Sequence, residues 1–275
     1  VVNLKTKKLF MGLTSLLLAF TVVGCGKKEE EKKETSEDTK KKIVVATDAA
    51  YAPFEYLESG KIVGFDVDLL GEVLKEAGYE YEFKNTGWDP LFPAVQNKQV
   101  DMAASALTIT DKRKETYNFS HPYFQSTFMI MVKEGSTIKS ALDLKNAKIG
   151  VQNGTTGQEA VEGLIGTNAP NIKKYENNVL AVMALKSGEV EAVVTDFAVA
   201  AEYVKNNPND KIVAIEDKTN FASEFYGFMF PKDSTKLQEE VNKAYNTILD
   251  NGTYAELFKK YFGTEPDIES LKKEQ

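Results

Sequence analysis

The sequence predicts an α/β protein built from two similar units in succession. Three observations carry that prediction. Strand-like and helix-like patterns alternate as βαβαβ from Ile43 to Ser105, the same order restarts at Ala147 and runs to Thr195, and a strand-like stretch without its own helix follows each unit, at 121–135 and 223–232. Such alternation argues parallel-type sheets flanked by helices, with a ligand crevice beyond the carboxyl ends of the strands.

Taken in order, the chain opens with Lys5, Lys7 and Lys8, then an uncharged run "LFMGLTSLLLAFTVVG" at 9–24 that ends in Gly24 before Cys25. This reads as a signal peptide over 1–24. The sixteen-residue run falls short of the ~20 residues that span a bilayer, which makes an uncleaved membrane anchor the weaker reading. "VVGC" resembles a lipobox, the bacterial signal at which cleavage leaves a lipid-bearing cysteine, so Cys25 is expected to be lipidated rather than a lone thiol. From Gly26 to Lys42, "GKKEEEKKETSEDTKKK" offers nothing apolar to bury and reads as a disordered tether. As a coil it would reach roughly 23 Å.

"IVVAT" (43–47) is a buried-strand run. Asp66 is expected to cap a helix whose stripe is Val67, Leu70, Leu74 and Ala77, closed by Gly78. "YEYEF" (79–83) returns as a strand, "DPLFPAVQNK" starts a helix with proline in its first turn, and "VDMAAS" (100–105) is the third strand. In the second unit come "AKIGVQ" (147–152), a helix from Thr155 or Thr156, "IKKYE" (172–176), a helix through "VLAVMALKSG", and "VEAVVT" (190–195). The stretches 121–135 and 223–232 read as crossovers between the units. "DSTKLQEEVNKAYNTILDNG" (233–252) then predicts a long helix with a Ser234 cap and an apolar stripe of Leu237, Val241, Ala244 and Ile248.

Composition narrows the function classes. The net charge of −7 falls to −10 once the three leader lysines are removed, which speaks against a nucleic-acid partner held by its phosphates. One cysteine and one histidine, Cys25 and His121, make neither a disulfide framework nor an ordinary zinc site. No metal or cofactor is expected.

The only arginine, Arg113, stands in "TITDKRKE" among 33 lysines. Its planar fork suits a carboxylate, so it is either a carboxylate clamp or a surface arginine left by chance. Asp48 and Tyr51 follow the first strand in "TDAAYAPFEY", and Trp88 follows the second in "NTGWDP". Two aromatics at strand ends form either a stacking wall or ordinary core. "VQNGTTGQEA" (151–160) is a glycine-rich strand-to-helix turn whose free N–H groups favour an anion. It lacks a P-loop ending, which disfavours nucleotides. Asp196 in "VVTDFA" stands at a further strand end, as a ligand group or a helix cap.

Together "ATDAAYAPFEY", "GFDVDLL", "ALTITDKRKETYNFSHPYF", "IGVQNGTT", "VVTD" and "NGTYAELFKKYFG" resemble the extracytoplasmic solute-binding proteins of ABC importers for polar amino acids, from about Ile43 to Gly263. The resemblance implies two lobes joined by two crossover strands around a closing cleft. Lobe 1 would comprise 43–125 and 224–264, lobe 2 would comprise 126–223, and 265–275 would be a C-terminal tail. It assigns Arg113 and the backbone N–H groups of Thr108 and Thr156 to the ligand's α-carboxylate. It assigns Asp196, the Thr108 hydroxyl and the Ala106 carbonyl to the α-ammonium, and Tyr51 and Trp88 to the ligand side chain. A zwitterion leaving water needs each charge hydrogen-bonded, so these roles are physically coherent.

Specificity is then left to Asp48, Ser105, Gln152 and Thr195. Gln152 replaces a lysine and Thr195 a histidine of the glutamine-binding branch, which weakens a glutamine assignment, and no extra cation is present for an acidic ligand. A basic L-amino acid is expected, arginine or lysine before histidine. His121 reads as structural. The expected partners are membrane permease subunits with a cytoplasmic ATPase, and the expected site of action is the outer face of a Gram-positive membrane, as a lipid-anchored monomer. The alternatives are a glutamine or other polar amino-acid binder, a dehydratase-type enzyme on the same fold, and a receptor's sensor module.

Overall fold

The computed structural model describes residues 42–275. The expected signal peptide, Cys25 and the tether up to residue 41 lie outside the described residues.

Two five-stranded sheets form the body. In the first, Ile43–Thr47 runs parallel to Tyr81–Asn85 on one side and to Met102–Ala103 on the other. Met229–Pro231 then joins antiparallel between Met102–Ala103 and Tyr117–Phe119. In the second sheet Ile149–Gln152 lies parallel to Ile172–Tyr175 and Ala192–Asp196. Phe128–Lys133 enters antiparallel between Ala192–Asp196 and Ile212–Glu216. The sheets are therefore mixed rather than purely parallel-type. In each, the strand that feeds in from a crossover approaches from the cleft side and must run against the others.

The two stretches that lacked helices are the link. Each divides in two, and their inner halves, Phe124–Ser126 and Glu224–Tyr226, pair as an antiparallel ribbon with Phe124 opposite Tyr226. Their outer halves supply Phe128–Lys133 to one sheet and Met229–Pro231 to the other.

The long helix Thr235–Asp250 packs on helix Phe65–Glu76, where Val241, Ala244, Tyr245 and Ile248 share a core with Leu69, Leu70, Val73 and Leu74. Burying each of the valine, leucine and isoleucine side chains is worth ~1.5–3 kcal/mol. Phe54, Phe65, Phe124 and Phe262 extend that core under the ribbon, with the Phe54 and Phe124 ring centroids 4.9 Å apart. The second sheet has its own core of Phe128, Ile130, Val132, Ile149, Val151 and Val194.

Local chemistry departs from expectation at the start of helix Phe65–Glu76. Gly64 is the N-cap and Asp66 lies inside the first turn, fully buried, so Asp66 is not a cap. Gly64 has φ 135°, and a Cβ there would stand 2.1 Å from the Phe54 carbonyl oxygen, a position open only to glycine. The buried stripe is accordingly Leu69, Leu70, Val73 and Leu74, while Val67 is only half-buried. Ser234 holds the N-cap position of the long helix without a side-chain capping bond.

Candidate functional site

The strand ends of both lobes converge on one cleft. Asp48 follows strand Ile43–Thr47, Ser105 to Thr108 follow Met102–Ala103, Gln152 ends Ile149–Gln152, and Asp196 ends Ala192–Asp196. Asp48, Tyr51, Trp88, Ser105, Ala106, Thr108, Arg113, Gln152, Thr156 and Asp196 all line a single cavity of about 20 Å³. Of the residues expected there, Thr195 is not in the lining but stands behind it, its Oγ1 3.2 Å from the Tyr51 hydroxyl.

Side chains from the two lobes meet directly across this cleft. Gln152 Nε2 donates to Asp48 Oδ2 at 3.0 Å. The Tyr51 hydroxyl donates to Asp196 Oδ2, and the Ser126 hydroxyl donates to Asp196 Oδ1 at 2.6 Å. Asp196 occupies a helix N-cap position yet makes no capping bond. Its carboxylate is turned into the cleft instead of to the helix N–H groups.

Arg113 sits in the short helix Asp111–Thr116, whose N-cap Thr110 accepts from the Arg113 N–H at 3.1 Å. Its guanidinium donates through Nη1 to the Thr108 carbonyl at 2.9 Å and reaches the Gly154 carbonyl of the other lobe at 3.5 Å. It lies 5.5 Å from the Trp88 ring centroid and 5.3 Å from that of Phe92, a cation–π arrangement that fixes the fork. One face of Trp88, expected to stack on a ligand, thus supports the arginine. Burial lowers the Arg113 pKa, offset in part by the charges of Glu224 and Glu159.

The floor carries a polar chain. Ser105 Oγ accepts from the Asp48 N–H and donates to Glu55 Oε1, each at 3.0 Å. Ala106 holds a positive φ of 44° and donates its N–H to Asp66 Oδ2 at 2.8 Å, where Tyr123 also donates at 2.6 Å. Burial raises the pKa of Asp48, with the Gln152 bond pulling the other way. Burial also raises Asp196, pushes Asp66 to about 6, and, with the Asp66 charge, lifts Glu55 well above the usual carboxylate range.

Three lining or facing residues escaped the sequence reading: Glu55, Thr155 and Glu224. Glu55 stands four residues after Tyr51 in the same quoted stretch. A β-turn returns it beneath the site on strand Glu55–Glu58, which pairs with Ala50–Tyr51. Glu224 begins the crossover ribbon and accepts from the Thr108 hydroxyl at 2.7 Å and the Thr156 hydroxyl at 3.2 Å. Thr155 is the helix N-cap and accepts from the Gln158 N–H at 3.2 Å. His121, read as structural, donates its backbone N–H to Asn242 Oδ1 at 2.8 Å and does not line the cleft.

Two α/β lobes on a two-stranded ribbon, with facing strand ends that present charged and hydroxyl groups to one cleft, define a solute-binding protein of the hinged, two-lobed class. The chain belongs to the bacterial extracellular solute-binding proteins, family 3, whose profile matches residues 43–264. It is 40% identical over 223 residues to a probable histidine-binding protein of Neisseria gonorrhoeae, covering 80% of this chain and 83% of that one. It is 35% identical to the arginine-binding extracellular protein ArtP of Bacillus subtilis, covering 94% and 99%. Among solved structures, the arginine-, lysine-, histidine-binding protein ArtJ of Geobacillus stearothermophilus superposes with a TM-score of 0.82 at 59% identity, covering 84% of this chain and all of that one.

Proposed function

We propose that this protein captures a basic L-amino acid, arginine or lysine before histidine, and delivers it to the permease of an ABC importer. The observation that carries the ligand class is the charge inventory of the cleft, whose lining sets the carboxyls of Asp48, Glu55 and Asp196 against one guanidinium. A zwitterion neutralises one carboxyl and the arginine; a further acidic group at the Asp48 end suits a cationic side chain. The relatives described as histidine-, arginine- and lysine-binding proteins support the same reading.

In this reading Arg113 and the Thr108 and Thr156 N–H groups hold the α-carboxylate. Asp196, the Thr108 hydroxyl and the Ala106 carbonyl hold the α-ammonium. Tyr51 and the free face of Trp88 flank the side chain, while Asp48, Ser105, Gln152 and Thr195 select it. Lobe 1 is 43–125 with 224–264, and lobe 2 is 126–223, so ligand contacts on both sides favour closure. The protein acts as a monomer tethered through a lipid on Cys25 to the outer face of a Gram-positive membrane. Among the described residues no helix is long and apolar enough to cross a membrane.

Titration calorimetry with a panel of amino acids is the test. Arginine and lysine should bind, and Asp48→Asn should weaken both by about tenfold, or 1.4 kcal/mol, while changing glutamine little. Absence of binding by every amino acid would sink the reading, and turnover of a carboxylate substrate would replace it with an enzyme.

A further inference from the structure

Among the described residues, Glu224 is the acidic group of the two-stranded ribbon, and it bonds to two threonines that line the cleft. It begins the ribbon strand Glu224–Tyr226, which pairs with Phe124–Ser126 where the chain passes between the two lobes. Its Oε1 accepts from Thr108 Oγ1 of the first lobe at 2.7 Å and from Thr156 Oγ1 of the second at 3.2 Å, and those two hydroxyls lie 3.1 Å apart. The backbone of Thr108 is pinned to the same strand by a bridge to Tyr226.

We propose that Glu224 is a positioning residue of the amino-acid site, which turns the lone pairs of the Thr108 hydroxyl toward the ligand's α-ammonium and gives up its own proton to solvent when that ammonium arrives. The proposal rests on the amino-acid reading above. A hydroxyl has one proton to donate and two lone pairs to offer. With the Thr108 proton committed to Oε1, its lone pairs are left to accept from an ammonium. Without that partner, the hydroxyl would be free to rotate its proton toward the incoming positive charge.

The proton follows from the charges around the carboxyl. Asp196 faces Glu224 from strand Ala192–Asp196, with Tyr51 bound to it from the first lobe; Arg113 faces it from helix Asp111–Thr116; Tyr226 is its neighbour on the ribbon. The hydroxyls of Thr108 and Thr156 complete its surroundings, and strand Phe124–Ser126 adds no charge. Burial and the Asp196 carboxylate push Glu224 up to about 8, against the Thr hydroxyls and Arg113, so the proton is retained at neutral pH. An ammonium placed against Asp196 and Thr108 cancels the Asp196 repulsion and adds an attraction of its own, which favours the ionised carboxylate. Capture then releases a proton, and affinity climbs as pH rises toward 8.

Calorimetry of L-arginine binding to the wild type and Glu224→Gln between pH 6 and 8, in buffers of different ionisation enthalpy, tests this. The wild type should release part of a proton and bind about fivefold tighter at pH 8 than at pH 6 relative to the variant. Glu224→Gln, whose amide oxygen still accepts from both threonines, should bind without that proton release. Net proton uptake or no exchange by the wild type overturns the proposal without recourse to any variant. So does a Glu224→Gln protein with the wild-type proton count. If arginine and every other amino acid fail to bind the wild type, the amino-acid reading itself falls, which is a separate result.

Discussion

Arg113 is the residue on which composition, geometry and chemistry agree. Its fork is held by the Thr108 carbonyl and braced on Trp88 and Phe92, so a lysine would keep the charge and lose both the brace and the paired donors. Arg113→Lys should weaken amino-acid binding by about 10- to 100-fold, equivalent to one or two charge-assisted hydrogen bonds, as read by calorimetry. The carboxyls around it make a second prediction. Asp66 and Glu224 have native pKa values of about 6 and about 8, above the ~4 of an unfolded chain. Between those values the native state holds protons that the unfolded state has lost, so their stabilising share is complete below about pH 4 and is lost as pH rises through 6 and then 8. Thermal melts should show the midpoint falling from pH 5 to 8.5, with a smaller fall in Glu224→Gln. The sequence exposed Arg113 because it was compositionally alone, and Asp48 and Asp196 because each follows a strand. Glu55 and Glu224 were hidden because their places depend on a turn and on a ribbon whose pairing no periodicity reports.

Elements were legible in proportion to how local their causes are. Strand Ile43–Thr47 and the helix start at Thr155 follow from runs and caps that the chain carries within a few residues. The second strand, expected at 79–83, forms at Tyr81–Asn85 instead. Its register is set by Ile43 lying opposite Tyr81 across the sheet, a long-range fact that alternation alone cannot supply. Helix Phe65–Glu76 shows the same limit: a close approach of the Phe54 carbonyl, rather than the caps, decides where it begins. Gly64→Ala should therefore destabilise the protein by about 3 kcal/mol, through positive φ and a clash with backbone that cannot give. Urea denaturation would report it as a lower midpoint with an unchanged slope.

At the scale of the molecule, the two units and their crossovers were readable from the repeat of one strand–helix order, but the mixed sheets were not. Strand direction depends on where the chain re-enters, and that is topology rather than pattern. The prediction that belongs to this scale is closure around a ligand. A ligand that bonds to groups on both lobes stabilises only the closed native form, so arginine at a hundredfold excess over Kd should add about 2.7 kcal/mol. For a chain of this size that raises the melting midpoint by roughly 5–10 °C. Scanning calorimetry would read the shift, and an unchanged midpoint would show that the cleft does not take the ligand.

The strand Met229–Pro231 lies inside the first sheet, between two strands that precede it by more than a hundred positions. That placement dictates an order of assembly. A chain emerging from its amino end presents the whole of the second sheet, 128–216, before it presents the piece that joins Met102–Ala103 to Tyr117–Phe119. The later half should acquire structure first, while the earlier half waits for its missing strand and for helix Thr235–Asp250 to cover it. Chains stopped at residue 226 should accordingly resist limited proteolysis over 126–223 and be cut throughout 43–125. The segment that is made first would be the last to be finished.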